Sequence, residues 1–164
     1  IIVINIHIMG NYFVMDDAKL LREIQRDADI SLQDLADRVG MSQSTVWRKM
    51  QDYEKSGLIK GKVALLDADQ LGLKICVVAN VSLTSHSEAA VDAFTKLVKD
   101  HPEIVECYSL SGAYDYMVKI YVEDIATYES FMSRYLLRNE YIASVTSGFV
   151  LKELKNTTEL PIRE

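Results

Sequence analysis

Residues 31–57 read SLQDLADRVGMSQSTVWRKMQDYEKSG. Ser31 is an N-cap residue type, and Asp34 follows three positions later, a capping-box spacing. Leu32, Leu35, Ala36 and Val39 then fall at i, i+3, i+4 and i+7, one apolar stripe of a helix. Gly40 ends that helix, because glycine takes the left-handed conformation that a helix C-terminus needs. Ser42 caps a third helix almost at once, and that helix runs from Gln43 to about Ser56 and stops at Gly57. Two short helices joined by so few residues must cross, which is the form of a helix-turn-helix unit. Upstream, Asp17 is placed to cap a first helix over 18–28, with Leu20, Leu21, Ile24 and Ala28 on one side.

Within the third helix, Val46, Met50 and Tyr53 share the inward face. Ser44, Arg48 and Gln51 then point outward, and Trp47 sits on the shoulder. The outward face is polar and net positive. Ser44 and Thr45 are short enough to bring a helix N-terminus near a groove, and Arg48 and Lys49 are long enough to reach phosphates or base edges. Ser42, Gln43, Ser44, Thr45, Trp47, Arg48, Lys49 and Gln51 are therefore the candidate contacts to double-stranded DNA. The competing readings are a solvated helix face for the cations and a packing role for Trp47.

The overall charge runs against this. The chain of 164 residues carries 18 basic and 24 acidic side chains. The excess is local, however. Residues 1–63 hold nine of each, and residues 64–164 hold nine basic and fifteen acidic. Residues 43–62 hold five basic side chains (Arg48, Lys49, Lys55, Lys60, Lys62) and two acidic ones (Asp52, Glu54). A phosphate backbone responds to that local field, not to the overall isoelectric point. No apolar run reaches the roughly 20 residues of a membrane span. The apolar start, IIVINIHIMGNYFV, has no basic segment or cleavage site of a signal peptide. It is expected to be a leader or short strand over 1–15, with Met9 or Met15 the biological start. Cys76 and Cys107 make neither a disulfide framework nor a zinc site, and they point to buried thiols in a reducing, cytoplasmic setting.

Beyond Gly57, Lys60-Gly61-Lys62 suggests a turn, Val63 to Leu66 a short strand and Asp67 to Gly72 a connector. The domain boundary falls here, with a helix-turn-helix domain over 16–60, a linker over 61–72, a second domain over 73–155 and a tail over 156–164. The period then changes to two. Ile75, Val77, Ala79, Val81 and Leu83 alternate onto one face of a strand. A helix follows, capped by Ser87 and carrying Ala90, Phe94, Leu97 and Val98. Next come two strands about a turn at Ser111–Tyr114. Asp124 caps a last helix with Ile125, Tyr128, Phe131, Met132, Tyr135 and Leu136 on one side, and a final strand follows. The order β-α-β-β-α-β is that of a ferredoxin-like α+β fold, in which the first two strands are not neighbours. Cys76 and Cys107 should therefore be too far apart to bridge. The second sheet face carries Cys76, Val78, Met117, Tyr121 and Val150, too apolar to stay wet, so a second copy of the chain is the expected cover.

Four stretches in order carry a resemblance: ISLQDLADRVGMSQSTVWRKMQDYEKSGLIKG, LDADQLG, CYSLSGAYDYMVKIYVEDIATYESF and VTSGFVLKELKNTTELPI. Over roughly residues 17–162 the chain resembles the Lrp/AsnC, or feast/famine, transcriptional regulators of bacteria and archaea. The resemblance implies a winged or simple helix-turn-helix reader fused to a RAM/ACT-like domain. It also implies dimers through the sheet domain, often larger homo-oligomers, and an amino-acid effector held between sheet domains. The implied effector site is Ser111, Gly112, Ala113, Tyr114, Asp115 and Tyr116, completed by Thr146 and Ser147. Gly112 would let backbone approach a ligand, and Asp115 would hold an ammonium; the alternatives are a plain hairpin turn and a turn-capping carboxylate. Departures from the family pattern are Phe13-Val14, Ala28-Asp29 and Asp52 on the recognition helix. No cofactor and no metal is expected. An enzyme on the same fold, such as the family's tetrapyrrole decarboxylase relatives, would need imidazoles around a large cleft. His7, His86 and His101 instead read as surface residues. A third class is an amino-acid sensor that does not bind DNA.

Overall fold

The computed structural model describes residues 17–162. The expected leader over 1–15, with His7, Phe13 and Val14, lies outside them. The described chain divides into two compact units. One holds residues 17–64 with 155–162, and the other is Leu65–Leu154.

The first unit contains α1 (Ala18–Arg26), α2 (Leu32–Val39) and α3 (Gln43–Ser56). The Ser31 hydroxyl accepts from the Asp34 N–H at 3.1 Å and donates to the Asp34 carboxylate at 2.7 Å. Gly40 is left-handed (φ 73°) and returns its N–H to the Ala36 carbonyl at 2.9 Å. Ser42 then accepts from the Thr45 N–H at 3.2 Å, so a glycine and a serine one residue apart make the whole turn. Leu20, Leu21, Ile24, Leu35, Ala36, Val39, Val46 and Tyr53 form the core.

Two local expectations fail. α1 stops at Arg26 and Ala28 is exposed, because the Asp27 carboxylate accepts from the Asp29 N–H at 3.0 Å and makes a competing turn. Asp17 occupies the N-cap position, yet its side chain caps no helix N–H. It is buried, at 2% exposure, and receives the Lys49 ammonium and the Tyr53 hydroxyl of α3, each at 2.5 Å. A carboxylate out of water needs charged or strong donors more than a surface cap does.

The chain's last described residues also belong to this unit. The Gln25 side chain donates to the Leu160 carbonyl at 3.0 Å and accepts from the Leu160 N–H at 2.9 Å. Arg26 meets Glu159 at 3.2 Å, and Ile162 packs against the three-helix core. Val63 to Leu66 form no strand and stay exposed, since a short extended run without a partner strand has nothing to pair with. No wing strand is present among the described residues of the unit.

The second unit runs β1 (Ile75–Leu83), α4 (Glu88–Asp100), β2 (Ile104–Ser109), β3 (Tyr116–Val122), α5 (Ile125–Phe131) and β4 (Ile142–Phe149). A single π turn, Met132–Leu136, extends α5, with the Leu137 N–H reaching back to the Met132 carbonyl at 2.9 Å. The sheet order is β2-β3-β1-β4, antiparallel throughout, the ferredoxin-like arrangement. Val77, Ala79, Val81, Val118 and Ile120 face α4 and α5 and are fully buried with Phe94 and Leu136. Ile125 is a correction. It is 62% exposed, because the first helical residue after the Asp124 cap points away from the sheet. The opposite sheet face carries Cys76, Val78, Met117 and Tyr121, half-buried, and Lys119 among them. β3 separates the strands of Cys76 and Cys107, and both thiols are free.

The buried Asp17 cluster gives a stability test. Burial first, then the bond to Asp17 and its charge, raises the Tyr53 phenol well above its ordinary range. Its neutral form is therefore the one that folding favours. Stability should be complete below about pH 10 and fall as pH rises beyond it. In denaturant unfolding followed from neutral to alkaline pH, Tyr53→Phe should lose that alkaline decline while costing about 1 kcal/mol near neutrality. Asp17→Ala should cost about 3 kcal/mol, because it strands a part-buried ammonium and a buried hydroxyl.

Candidate DNA-reading surface and effector loop

Capping and burial fix the roll of α3. Val46 and Tyr53 are buried and Met50 half-buried, so the helix turns Ser44, Trp47 and Arg48 outward. Trp47 is 57% exposed, too open for the packing role. Arg48 forms no ion pair or hydrogen bond with any described residue. Gln43 is exposed, and its side-chain amide donates to the side-chain Oε1 of Gln33 on α2. Ser42 is exposed, but its hydroxyl already serves as cap and lies 2.8 Å from that of Thr45, which is half-buried. Gln51 is half-buried, and Asp52 is exposed one turn beyond Arg48.

Lys49 departs from the sequence reading. At 100° per residue it lies about 60° from Val46, on the core-facing side. Its ammonium closes on Asp17 with its side chain only 26% exposed. It is a structural cation in this unit and not a free phosphate contact. Four of the eight expected contacts, Gln43, Ser44, Trp47 and Arg48, form one open surface.

In the other unit, residues 110–115 connect β2 to β3. The Leu110 N–H bonds to the Asp115 carbonyl at 2.8 Å, and the Asp115 N–H bonds to the Val81 carbonyl at 3.0 Å. Ser111, Gly112 and Ala113 are exposed and Tyr114 is half-buried. Gly112 has no left-handed backbone, and an added Cβ would meet nothing within 4 Å. The chain's own packing therefore does not demand a glycine there. Tyr116 stacks on Phe94 with ring centres 4.5 Å apart and belongs to the core side.

Asp115 is already engaged. One carboxylate oxygen accepts from the Leu83 N–H at 2.7 Å, and the other meets Nε2 of His86 at 2.7 Å. The bond to His86, then that to Leu83, lowers the Asp115 carboxyl below the usual carboxylate range. His86 was read as a plain surface residue; its ring is open, but it belongs to this loop. No local motif announces it, since it sits 29 positions from its partner.

Thr146 and Ser147 do not act as a pair. Adjacent strand residues face opposite ways. Ser147, opposite Ala79, turns to the helices, with its hydroxyl 2.5 Å from that of Tyr128. Thr146, opposite Asn80, lies on the other sheet face. Tyr128, whose phenol burial raises, is the partner that the sequence reading placed only in the core.

His101, unlike His86, is not a surface residue. Its ring stacks on Tyr135 at 4.0 Å and edges Phe131 at 5.4 Å. It lines a cavity of about 370 Å³ with Lys96, Arg134 and Arg138, which contains none of the expected site residues. Among the described residues no three His, Cys, Asp or Glu side chains converge as a metal site, and no helix is long and apolar enough to cross a membrane.

Two family models match the chain. Residues 17–60 fit a winged helix-turn-helix DNA-binding domain, and residues 76–160 fit the Lrp/AsnC ligand binding domain. The chain is 34% identical over 146 residues to the DNA-binding transcriptional activator DecR of Escherichia coli, covering 89% of this chain and 96% of that protein. It is 34% identical over 148 residues to the glutamate uptake regulatory protein of Zymomonas mobilis, covering 90% of each. A transcriptional regulator from Neisseria meningitidis, solved in complex with L-methionine, superposes with a TM-score of 0.85 at 29% identity, covering 90% of this chain and 95% of that one. An AsnC family regulator from Agrobacterium tumefaciens gives 0.82 at 39% identity, covering 88% and 94%.

The Ser42 cap sets where α3 begins. Ser42→Ala should lower the stability of the three-helix unit by about 1 kcal/mol in denaturant unfolding. Ser42→Asp should keep most of it, because a carboxylate also accepts at a helix N-terminus.

Proposed function

The chain belongs to the Lrp/AsnC family and is a DNA-binding transcriptional regulator, and from that premise we propose which of its residues read DNA and hold its effector. The carrying observation is the outward face of α3, where Arg48 stands unpaired beside Ser44 and Trp47 while Lys49 is turned to Asp17. On this reading residues 17–60 dock α3 in a major groove. Arg48 meets a phosphate or base edge, and Gln43, Ser44 and Trp47 set the approach.

The sheet domain is the regulatory half. The loop of Ser111 to Asp115 is the proposed effector site, and a free amino acid is the proposed ligand class. The solved relative bound to L-methionine supports that class. Coupling to DNA then follows from differential affinity: an effector that prefers one assembly draws the population toward it.

The open sheet face supports a homodimer. Its apolar residues surround Lys119, which is held by Glu106 at 3.4 Å and lies over the Tyr121 ring at 5.4 Å. A second copy would remove that face from water. A two-fold dimer also presents two copies of α3 to successive grooves, which favours pseudo-palindromic sites. Assembly beyond the dimer and residence in the cytoplasm are part of the same proposal. The decarboxylase alternative draws nothing from the two described histidines: His86 precedes α4 and His101 follows it, at opposite ends of the helix. The sensor that ignores DNA would leave the open α3 face without a role.

The test is fluorescence anisotropy on the chain's own upstream DNA across a salt series. Arg48→Ala should weaken binding and reduce the slope of log K against log salt by about one unit. Lys49→Ala should leave that slope unchanged and lower thermal stability instead. A slope unmoved by Arg48→Ala removes Arg48 from the phosphate contacts, and absence of binding to any genomic fragment would sink the DNA-reading assignment.

A further inference from the structure

We propose that His86 is a built-in occupant of the effector site: its imidazole holds the Asp115 oxygen that an amino acid's ammonium would take, and the effector binds by displacing it. This deepens the reading of the Ser111–Asp115 loop and rests on it.

The geometry assigns the two oxygens of Asp115 different tasks. One accepts from the Leu83 backbone N–H at 2.7 Å, a fixed donor at the end of β1 that ties the loop to the sheet. The Asp115 N–H and carbonyl are also spent, on Val81 and Leu110. The second oxygen carries no backbone donor among the described residues, and Nε2 of His86 stands on it at 2.7 Å. The carboxylate is 24% exposed even so, whereas the His86 side chain is 76% exposed. The imidazole has no ring contact with any described aromatic, and Asp115 is its one hydrogen-bond partner among the described residues. Exposed ion pairs contribute little and exchange readily with solvent, so the ring can swing away at small cost. A ligand ammonium brings three donors and a permanent positive charge to the vacated oxygen.

Two acidic residues belong to the segments that flank His86 in the chain or meet its neighbour Thr84. Glu88 lies in the first turn of α4. Glu140 precedes β4, and its carbonyl accepts from the Thr84 hydroxyl at 3.4 Å. With Asp115 they favour a cation at this place, whether imidazolium or ammonium. The two are therefore competitors for one carboxylate oxygen, and removing the ring should free that oxygen for the ligand.

The experiment is isothermal titration of the full chain with each of the twenty amino acids, for the wild type, His86→Ala and Asp115→Asn. Asn still accepts from the Leu83 N–H, so the loop tie is kept. His86→Ala should bind about two- to fivefold tighter, the size expected for losing an exposed ion pair. Asp115→Asn should weaken binding. Binding that needs Asp115 but is unchanged or weakened by His86→Ala overturns this inference alone. Binding indifferent to Asp115→Asn, or no binding by any amino acid, overturns the loop's assignment as well.

Discussion

The buried carboxylate of Asp17 is the constraint on which the DNA-reading unit turns. Eight apolar residues hold three short helices together, but apolar contacts alone tolerate some rotation of a helix about its axis. Asp17 removes that freedom. It accepts from two residues of α3 one turn apart, Lys49 and Tyr53, and a buried charge with both partners in place has no cheap alternative. Val46 then points into the core, and Ser44 and Arg48 are left outside. The outward polar face is thus produced from within. The same bond explains why a lysine beside the key arginine is not part of that face.

The sheet domain reaches its specificity through a simpler rule. A strand alternates, so each step along β4 changes the medium that a side chain meets. Ser147 finds the Tyr128 hydroxyl under the helices and Thr146 finds Asn80 on the opposite face. The loop before β3 is held at both ends by backbone bonds and at its centre by the Asp115 carboxylate on Leu83. It is therefore a shaped ledge even though four of its residues are open to solvent. A ledge held in this way exposes backbone without needing glycine geometry, which fits the ordinary φ of Gly112.

What was legible in the sequence was what short range decides. The Ser31 and Ser42 caps, the Gly40 and Gly57 stops, the period-two face of β1 and the succession of helices and strands along the chain all rest on neighbours within a few positions or on alternation. What was not legible spans the chain. Asp17 reaches Lys49 and Tyr53 over more than thirty positions, His86 reaches Asp115 over 29, and Gln25 reaches Leu160 over 135. Asp17 is the instructive case. Locally it is a good cap, and its residue type and position justify that reading. Burial reverses it, because the energy of leaving a carboxylate dry exceeds what one helix N–H returns. The short strand expected at Val63 to Leu66 fails for the complementary reason: propensity without a partner does not make a sheet.

The acidic balance of the whole chain remains to be squared with DNA. Pairing resolves it better than counting. Arg26 is taken by Glu23 and Glu159, Arg38 by Glu23, Lys62 approaches Glu54, and Lys49 belongs to Asp17. On and just beyond α3, Arg48, Lys55 and Lys60 make no such pair among the described residues. Charges more than about 8 Å apart are largely screened at physiological salt, so the groups close to Arg48, Lys55 and Lys60 weigh more than the sum over the whole chain. The nearest opposing charge on the outward face is Asp52, one turn from Arg48. It lowers the local positive field and repels phosphate, leaving fewer favourable backbone contacts per α3. On the proposed reading each α3 offers few phosphate contacts, which is the physical ground on which two copies acting on one duplex, as in a two-fold assembly, would hold it better than one.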